Sequence, residues 1–203
     1  MIYNTILLFG APGVGKGMQG HLLGNIPGFY HFSSGEMFRS LDKQSELGRE
    51  FNHYSTQGLL VPDDLTVRLW TQYIEQRISA GDYKPDMQLL LLDGIPRTVQ
   101  QAQAMAPHMQ VLKVIHLLAG DENVMVQRMK RRALMQHRPD DADEAVIRRR
   151  FEVYHAQTQP MLDHYPAELV ADIDAVGSPA RVLRDVLRTL VPVLDRHCKP
   201  WEG

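Results

Sequence analysis

Short apolar runs alternate along this chain of 203 residues with longer stretches in which apolar positions recur every three or four residues. Runs at 2–9, 29–32, 89–92, 111–118 and 169–173 predict strands. The run at 89–92 is Leu-Leu-Leu-Leu, with no polar position, and predicts a strand covered on both faces as in a parallel sheet. Between the runs lie helical stretches. One starts near Lys16, one follows a cap at Ser33 or Ser34 and reaches Leu41, and one covers 45–54 and is closed by Gly58. Asp63 or Asp64 is the expected cap of a longer helix on which Leu65, Leu69, Tyr73 and Arg77 step at four-residue spacing. Further helices are predicted at 98–105, at 122–135, from Asp140 or Asp141 towards Tyr165, and at 179–194, with a frayed tail from Arg196. Turns are expected at 24–28 and 81–85, and no repeat or low-complexity segment interrupts the series. Strands alternating with helices predict an α/β fold, a parallel sheet with helices on both faces.

Composition narrows the class. The length suits one domain with a full core and small insertions. The formal net charge of −2 gives no global field that calls for nucleic acid or an anionic membrane. Cys198 is the single cysteine, which excludes an internal disulfide and a cysteine-rich zinc site. The first strand follows Met1 almost at once, and no apolar run is long enough to span a bilayer. A cytoplasmic enzyme without a targeting segment is the expectation.

Chemistry enters with GAPGVGKGMQG, residues 10–20, between the first strand and the first helix. A glycine-rich turn there lets backbone N–H groups point inward without Cβ clashes, and the helix N-terminus adds positive potential for phosphates. Gly10, Gly15 and Lys16 match the GxxxxGK spacing of the P-loop, with Lys16 as the cation for the outer phosphates. Gly15, Gly17 and Gly20 also spell GxGxxG. That dinucleotide fingerprint should begin at the strand end and be followed by an acidic residue closing the next strand, and neither condition holds. An ordinary glycine-rich turn is the plain alternative. Neither Gly17 nor Met18 brings the hydroxyl that normally follows the lysine.

Further stretches place polar groups at strand ends, where open α/β sheets bind ligands. In FSSGEMFR, Ser34 and Arg39 are positioned to hold a second nucleotide, although Ser-Ser-Gly-Glu alone suits a helix cap. In LLLLDGIPRTVQQ, Asp93 ends a buried strand as a metal-orienting carboxylate would, Gly94 and Pro96 turn Arg97 into the same cleft, and Gln101 lies one helical turn on. Arg128 and Arg132 share a helix face, and Arg138 follows a short loop. A solvated basic helix end is the plain reading, and no aromatic residues interleave these charges as a nucleic-acid surface would need. In IRRRFEVYH, Ile147, Phe151 and Tyr154 form the buried stripe, with Arg150 beside it. Gly177 and Ser178 start the last helix.

Taken in order, GAPGVGKGMQ, SSGEMFR, GLLVPDD, LLDGIPRTVQQ, QRMKRR, RPDD and RRRFEVYH resemble the adenylate kinase family of nucleoside monophosphate kinases nearly end to end. The resemblance implies a P-loop NTPase-type parallel sheet in one domain, residues 1–203, with an NMP-binding insertion at 33–62 and a short lid at 132–141. It implies reversible, magnesium-dependent phosphoryl transfer from ATP to AMP, giving two ADP, with no zinc, no nucleic-acid or membrane partner, and a monomer. Gly13, Val14, Gly15, Lys16, Gly17 and Met18 would wrap the ATP phosphates, Arg128 would stack on the ATP adenine, and Ser178 would lie near that base. Ser34, Arg39, Leu59, Leu60, Val61, Gly94 and Gln101 would hold AMP, with Arg97 on its phosphate. Lys16, Arg97, Arg132, Arg138 and Arg150 would converge on the transferred group, with Asp93 orienting magnesium through water. Asp140 or Asp141 would orient the metal shell or the closed lid.

Three departures matter. Met18 stands where relatives carry threonine after Gly-Lys-Gly. One extra residue between Asp141 and Arg150 makes Arg149 a second candidate for the role of Arg150. Only five residues separate Arg132 from Arg138, which fits the short lid. Two alternatives remain from the sequence: a UMP or CMP kinase, against which Gln101 speaks, and a nucleotide-binding relative that has lost catalysis, for which Met18 speaks.

Overall fold

The computed structural model describes residues 1–136 and 141–199. Five strands, β1 (Tyr3–Gly10), β2 (Phe29–Ser33), β3 (Leu89–Asp93), β4 (Met109–Leu118) and β5 (Val170–Asp174), form one sheet in the order β2-β3-β1-β4-β5, and every pairing is parallel. Eight α-helices are described: α1 (Lys16–Gly24), α2 (Ser34–Arg39), α3 (Glu46–Thr56), α4 (Asp63–Ser79), α5 (Val99–Met105), α6 (Glu122–Gln136), α7 (Glu144–Val153) and α8 (Pro179–His197).

The leucine run of β3 explains the layering. Successive side chains of a strand point to opposite faces. Leu90 and Leu92 therefore join one core with Leu65, Leu69 and Trp70 of α4, and Leu89 and Leu91 join the other with Leu23 of α1 and Val186 and Leu190 of α8. All four leucines are fully buried. After β1 the chain crosses to the α1 face, and after β3 it crosses to the α5 face. The carboxyl ends of these adjacent strands thus form the crevice in which open α/β sheets hold ligands.

The element series matches the hydrophobic pattern, with differences at element ends. Asp63 and Asp64 do not cap α4. Pro62 occupies that position, and both acids lie in the first turn, where they suit the helix dipole. The cap of α7 is Asp143, whose side chain accepts from the backbone N–H of Ala145 at 2.8 Å, rather than Asp141. The expected cap Asp140 lies outside the described residues. Helix α2 stops at Arg39, capped by Ser33. Helix α8 runs past Arg196 to His197 and Cys198 packs against the core, so helix extends into the expected frayed tail, of which 200–203 lie outside the described residues. Beyond α7 the helical path continues through a π-turn at Tyr154–Thr158 and a 3-10 segment at Gln159–His164. Among the described residues no helix is long and apolar enough to cross a membrane.

Gly20 sits inside α1, where glycine ordinarily weakens a helix. Its reason is β2: a Cβ at Gly20 would lie 2.3 Å from Nε2 of the buried His31 ring. Gly20→Ala should therefore lower folding stability by about 1–3 kcal/mol, the scale of an overpacked core. Chemical denaturation reads this directly, and an unchanged midpoint would mean that the imidazole gives way without cost.

Candidate active site

The P-loop is built from backbone conformations that favour glycine. Gly13 and Gly15 have φ of 80° and 114°, in the left-handed region. At Gly13 a Cβ would in addition stand 2.9 Å from the Met125 carbonyl of α6, so the loop is pressed against that helix. Lys16 folds back over the loop and donates to the carbonyls of Gly10 at 2.6 Å and Ala11 at 3.0 Å. Burial pulls its ammonium down to about 8, against the pull of Asp93, and Arg97, Arg150 and Arg132 depress it further. Val14 is 3% exposed and belongs to the core, so its contribution to a phosphate cradle is limited to its backbone. The N–H of Val14 already donates weakly to the Ala11 carbonyl, at 3.3 Å. Met18 is 56% exposed and points to solvent, away from the helix–sheet interface.

Asp93 closes β3 in register with Leu8 of β1 and Ser33 of β2. Burial works to raise its carboxyl, but the neighbouring His31 ring, Lys16 and Arg97 outweigh it and hold it below the usual carboxylate range. The ring nitrogen of His31 is 3.9 Å from the carboxylate, beyond hydrogen-bond reach. Gly17 faces the same carboxylate, 3.4 Å from where a Cβ would stand. After Asp93, Gly94 takes φ of 85°, and a Cβ there would lie 2.4 Å from Oγ of Ser34 and 3.0 Å from Arg97. A glycine is thus what lets the buried Ser34 and Arg97 meet across the turn. Arg97 donates from Nε to the Gly94 carbonyl at 2.7 Å. Burial, with Arg150 nearby, lowers its guanidinium to about 10 against the pull of Asp93.

One cleft gathers Lys16, Ser34, Arg39, Leu59, Leu60, Val61, Gly94, Arg97, Gln101 and Arg150, which the sequence placed in separate motifs. Gln101 is 2% exposed, and its amide is engaged on both sides: Oε1 accepts from the Arg97 N–H at 2.7 Å, and Nε2 donates to Asp63 at 2.8 Å. Asp141 is wholly buried and joins two of the predicted arginines. Its Oδ2 accepts from Arg132 Nε at 2.7 Å and its Oδ1 from Arg150 Nη1 at 2.5 Å. Each oxygen thereby meets a guanidinium group, so Asp141 holds these two arginines together. Arg149 points outward to Glu152 at 2.8 Å with its side chain 55% exposed, so of the two neighbours Arg150 is the one in the cleft.

Other predicted residues stand apart from that cleft. Arg128 is exposed on α6. Ser178 is exposed and caps α8, its hydroxyl accepting from the Arg181 N–H at 3.3 Å. The start of α8 is tied to the P-loop helix by Gln19, whose Nε2 donates to the Pro179 carbonyl at 3.1 Å. Arg138 lies outside the described residues, as do 137, 139 and 140 of the expected lid at 132–141.

Three features escaped the sequence reading. Asp63 reads locally as a helix cap and is instead a partner of α5. Thr98-x-x-Gln101 has capping-box spacing, a signal that was present in the sequence. Phe38 and Phe51 stack in the cleft wall with ring centroids 5.0 Å apart and planes 2° apart, and nothing in their spacing announces that.

The family profile described as adenylate kinase matches residues 8–170. An adenylate kinase of Nocardia farcinica is 38% identical over 190 residues, covering 91% of this chain and 98% of the relative. One from a Mycobacterium species is 39% identical over 191 residues with the same coverage. One from Porphyromonas gingivalis is 33% identical over 200 residues, covering 96% of this chain and 97% of the relative. With this match and a parallel sheet whose crevice carries a P-loop, a strand-end carboxylate and converging arginines, the chain belongs to the adenylate kinase family.

Proposed function

We propose that this cleft transfers the terminal phosphoryl group of ATP to AMP, reversibly, giving two ADP. The observation that carries the reading is the convergence of Lys16, Arg97, Arg132 and Arg150 on the crevice between β1 and β3. Phosphoryl transfer needs little covalent help from a protein. It needs two phosphates aligned and the charge on the equatorial oxygens neutralised in a site closed to water. An AMP phosphate oxygen attacks the γ-phosphorus as the bond to the bridging oxygen breaks, and ADP leaves carrying that electron pair.

The residues divide the work. Gly13 to Met18 offer backbone N–H groups at the start of α1, and Lys16 swings from the Gly10 and Ala11 carbonyls onto the outer phosphates. Arg97 and Arg39 hold the AMP phosphate, and Gln101, Ser34 and the 59–61 backbone hold its nucleoside. Arg132, Arg150 and Arg138 surround the transferred group, and Arg128 and the start of α8 at Ser178 flank the ATP base. Residues 33–62 act as the AMP-binding insertion and 132–141 as the lid. Asp93 suits magnesium carried on the ATP phosphates. Its carboxylate is held ionised beside Lys16, and Gly17 leaves open space next to it. Bound there through water, the ion would add positive charge to the phosphates.

Phosphotransfer from MgATP to a panel of nucleoside monophosphates tests the reading. AMP should be the preferred acceptor, and no transfer to any of them would refute it. Arg150→Ala should cost on the order of 10³-fold in kcat/KM, by the scale of arginine contributions to phosphoryl transfer. Arg149→Ala should leave the rate essentially unchanged. Because Asp141 would then keep only Arg132, the Arg150 variant should also melt earlier, and rates belong well below its midpoint. Equal losses at both positions would mean that the wrong arginine has been assigned.

Lys16 gives a pH signature. Its free-enzyme ammonium titrates near 8, and phosphates favour the charged form. ATP binding should take up a proton at about pH 8.5–9 and none from this group near pH 7, with affinity falling as pH rises through the free-enzyme value. Calorimetry in buffers of different ionisation enthalpy measures the uptake, and its absence near pH 9 would exclude the contact.

Met18→Thr would restore a hydroxyl beside the phosphates. The methionine is more than half exposed, so stability should change little while kcat/KM for MgATP rises by roughly ten- to a hundred-fold, the worth of one hydrogen bond to a charged group. Unchanged kinetics would show that another group already serves.

A further inference from the structure

The Gln101 amide is held by two partners of opposite kind. A backbone N–H only donates, and the Arg97 N–H meets Oε1 at 2.7 Å. A carboxylate only accepts, and Asp63 Oδ1 receives Nε2 at 2.8 Å. Turning the amide over would set an NH₂ against the Arg97 N–H and a carbonyl oxygen against the Asp63 carboxylate, two repulsive contacts inside a buried site. The orientation is therefore dictated by chemistry.

Asp63 is itself fixed. Its Oδ2 accepts from the Thr98 hydroxyl at 2.8 Å, and that hydroxyl accepts in turn from the Gln101 backbone N–H at 3.1 Å, as the cap of α5. Asp63, Thr98 and Gln101 close a ring between the start of α4 and the start of α5.

What the ring leaves over is one N–H on Nε2 and one lone pair on Oε1, in fixed order. Adenine presents an acceptor at N1 beside a donor at its 6-amino group, and a 6-oxopurine presents the reverse. An amide free to turn over serves both, and one locked in place serves only one. We propose that Asp63 is a positioning residue that sets the acceptor specificity of the reaction for adenine over 6-oxopurines by locking the Gln101 amide. The proposal rests on the reading that Gln101 faces the acceptor base.

The test is kcat/KM for AMP and for inosine monophosphate, which differs from AMP only along this edge, at saturating MgATP. Asp63→Asn keeps size and shape but replaces an obligate acceptor with an amide that can accept or donate. Asp63→Ala removes the partner altogether, so the pair does not depend on one variant folding. Both should lower the ratio of AMP to inosine monophosphate use by about tenfold or more, chiefly through KM for the acceptor, with KM for MgATP unchanged. A purely structural role would move both substrates together and leave the ratio alone. If Gln101→Ala collapses the ratio and the Asp63 variants do not, the locking role is wrong. If Gln101→Ala also leaves it unchanged, the placement of Gln101 at the base fails, and the proposal fails with it.

Discussion

Lys16, Arg97, Arg132 and Arg150 are held around one cleft by a fold that sets Asp93 and Asp141 among them as counter-charges. Taking a cation out of water is costly unless an anion and hydrogen bonds meet it. Asp141 meets two guanidinium groups at once and is wholly enclosed by doing so. Around Asp93 the balance is less complete. Lys16 and Arg97 are both held below their ordinary values by burial and by neighbouring cations, which means that their charges weigh on the free protein. In the proposed reaction the phosphates of two nucleotides are the anions that meet these charges. Binding strength and transition-state stabilisation then come from the same source, charge placed before the substrate arrives.

The scaffold makes this arrangement possible at few positions. A parallel sheet buried on both faces gives β3 its four leucines and leaves Asp93 at the strand end, in register with β1 and β2. Crossovers to opposite faces after β1 and β3 open the crevice. Gly94 then brings Arg97 and Ser34 to the same point, and the P-loop glycines bring backbone donors to the facing side. The segment that follows α3 closes the third side. At Gly58, two residues past α3, where φ is 70°, a Cβ would lie 2.9 Å from the Val146 carbonyl of α7, so the turn after α3 meets α7 beside Arg150.

The sequence revealed what is local. Alternating apolar runs gave the strand and helix series, and the P-loop spacing, the strand-end Asp93 and Arg97 were legible because each depends on residues close along the chain. Distant pairings were not. Asp63 lies 35 residues from Thr98 and 38 from Gln101, and an aspartate at a helix start reads as a cap. The partners of Asp141 were hidden for the same reason, since a carboxylate in an acidic loop reads as a cap or a metal contact until two arginines are seen to enclose it. Arg150 rather than Arg149 was legible, because it lies beside the stripe of Ile147, Phe151 and Tyr154, all three of which are buried. The outward turn of Met18 was beyond local pattern, because no periodicity says which side of a glycine-rich helix start a long side chain will take.

If the buried charges of Lys16 and Arg97 weigh on the free protein, bound phosphates should relieve them. Arg97→Met tests this most directly, because the side chain keeps its length and loses its charge. Denaturant unfolding without nucleotide, compared with the parent, should show equal or greater stability for the variant. The parent should gain more than the variant from MgATP with AMP, because the variant keeps only the ATP contacts, and the variant should be nearly inactive in phosphotransfer. A variant clearly less stable than the parent in the absence of nucleotide would contradict the account, since Arg97 would then be holding the fold together rather than waiting for its substrate.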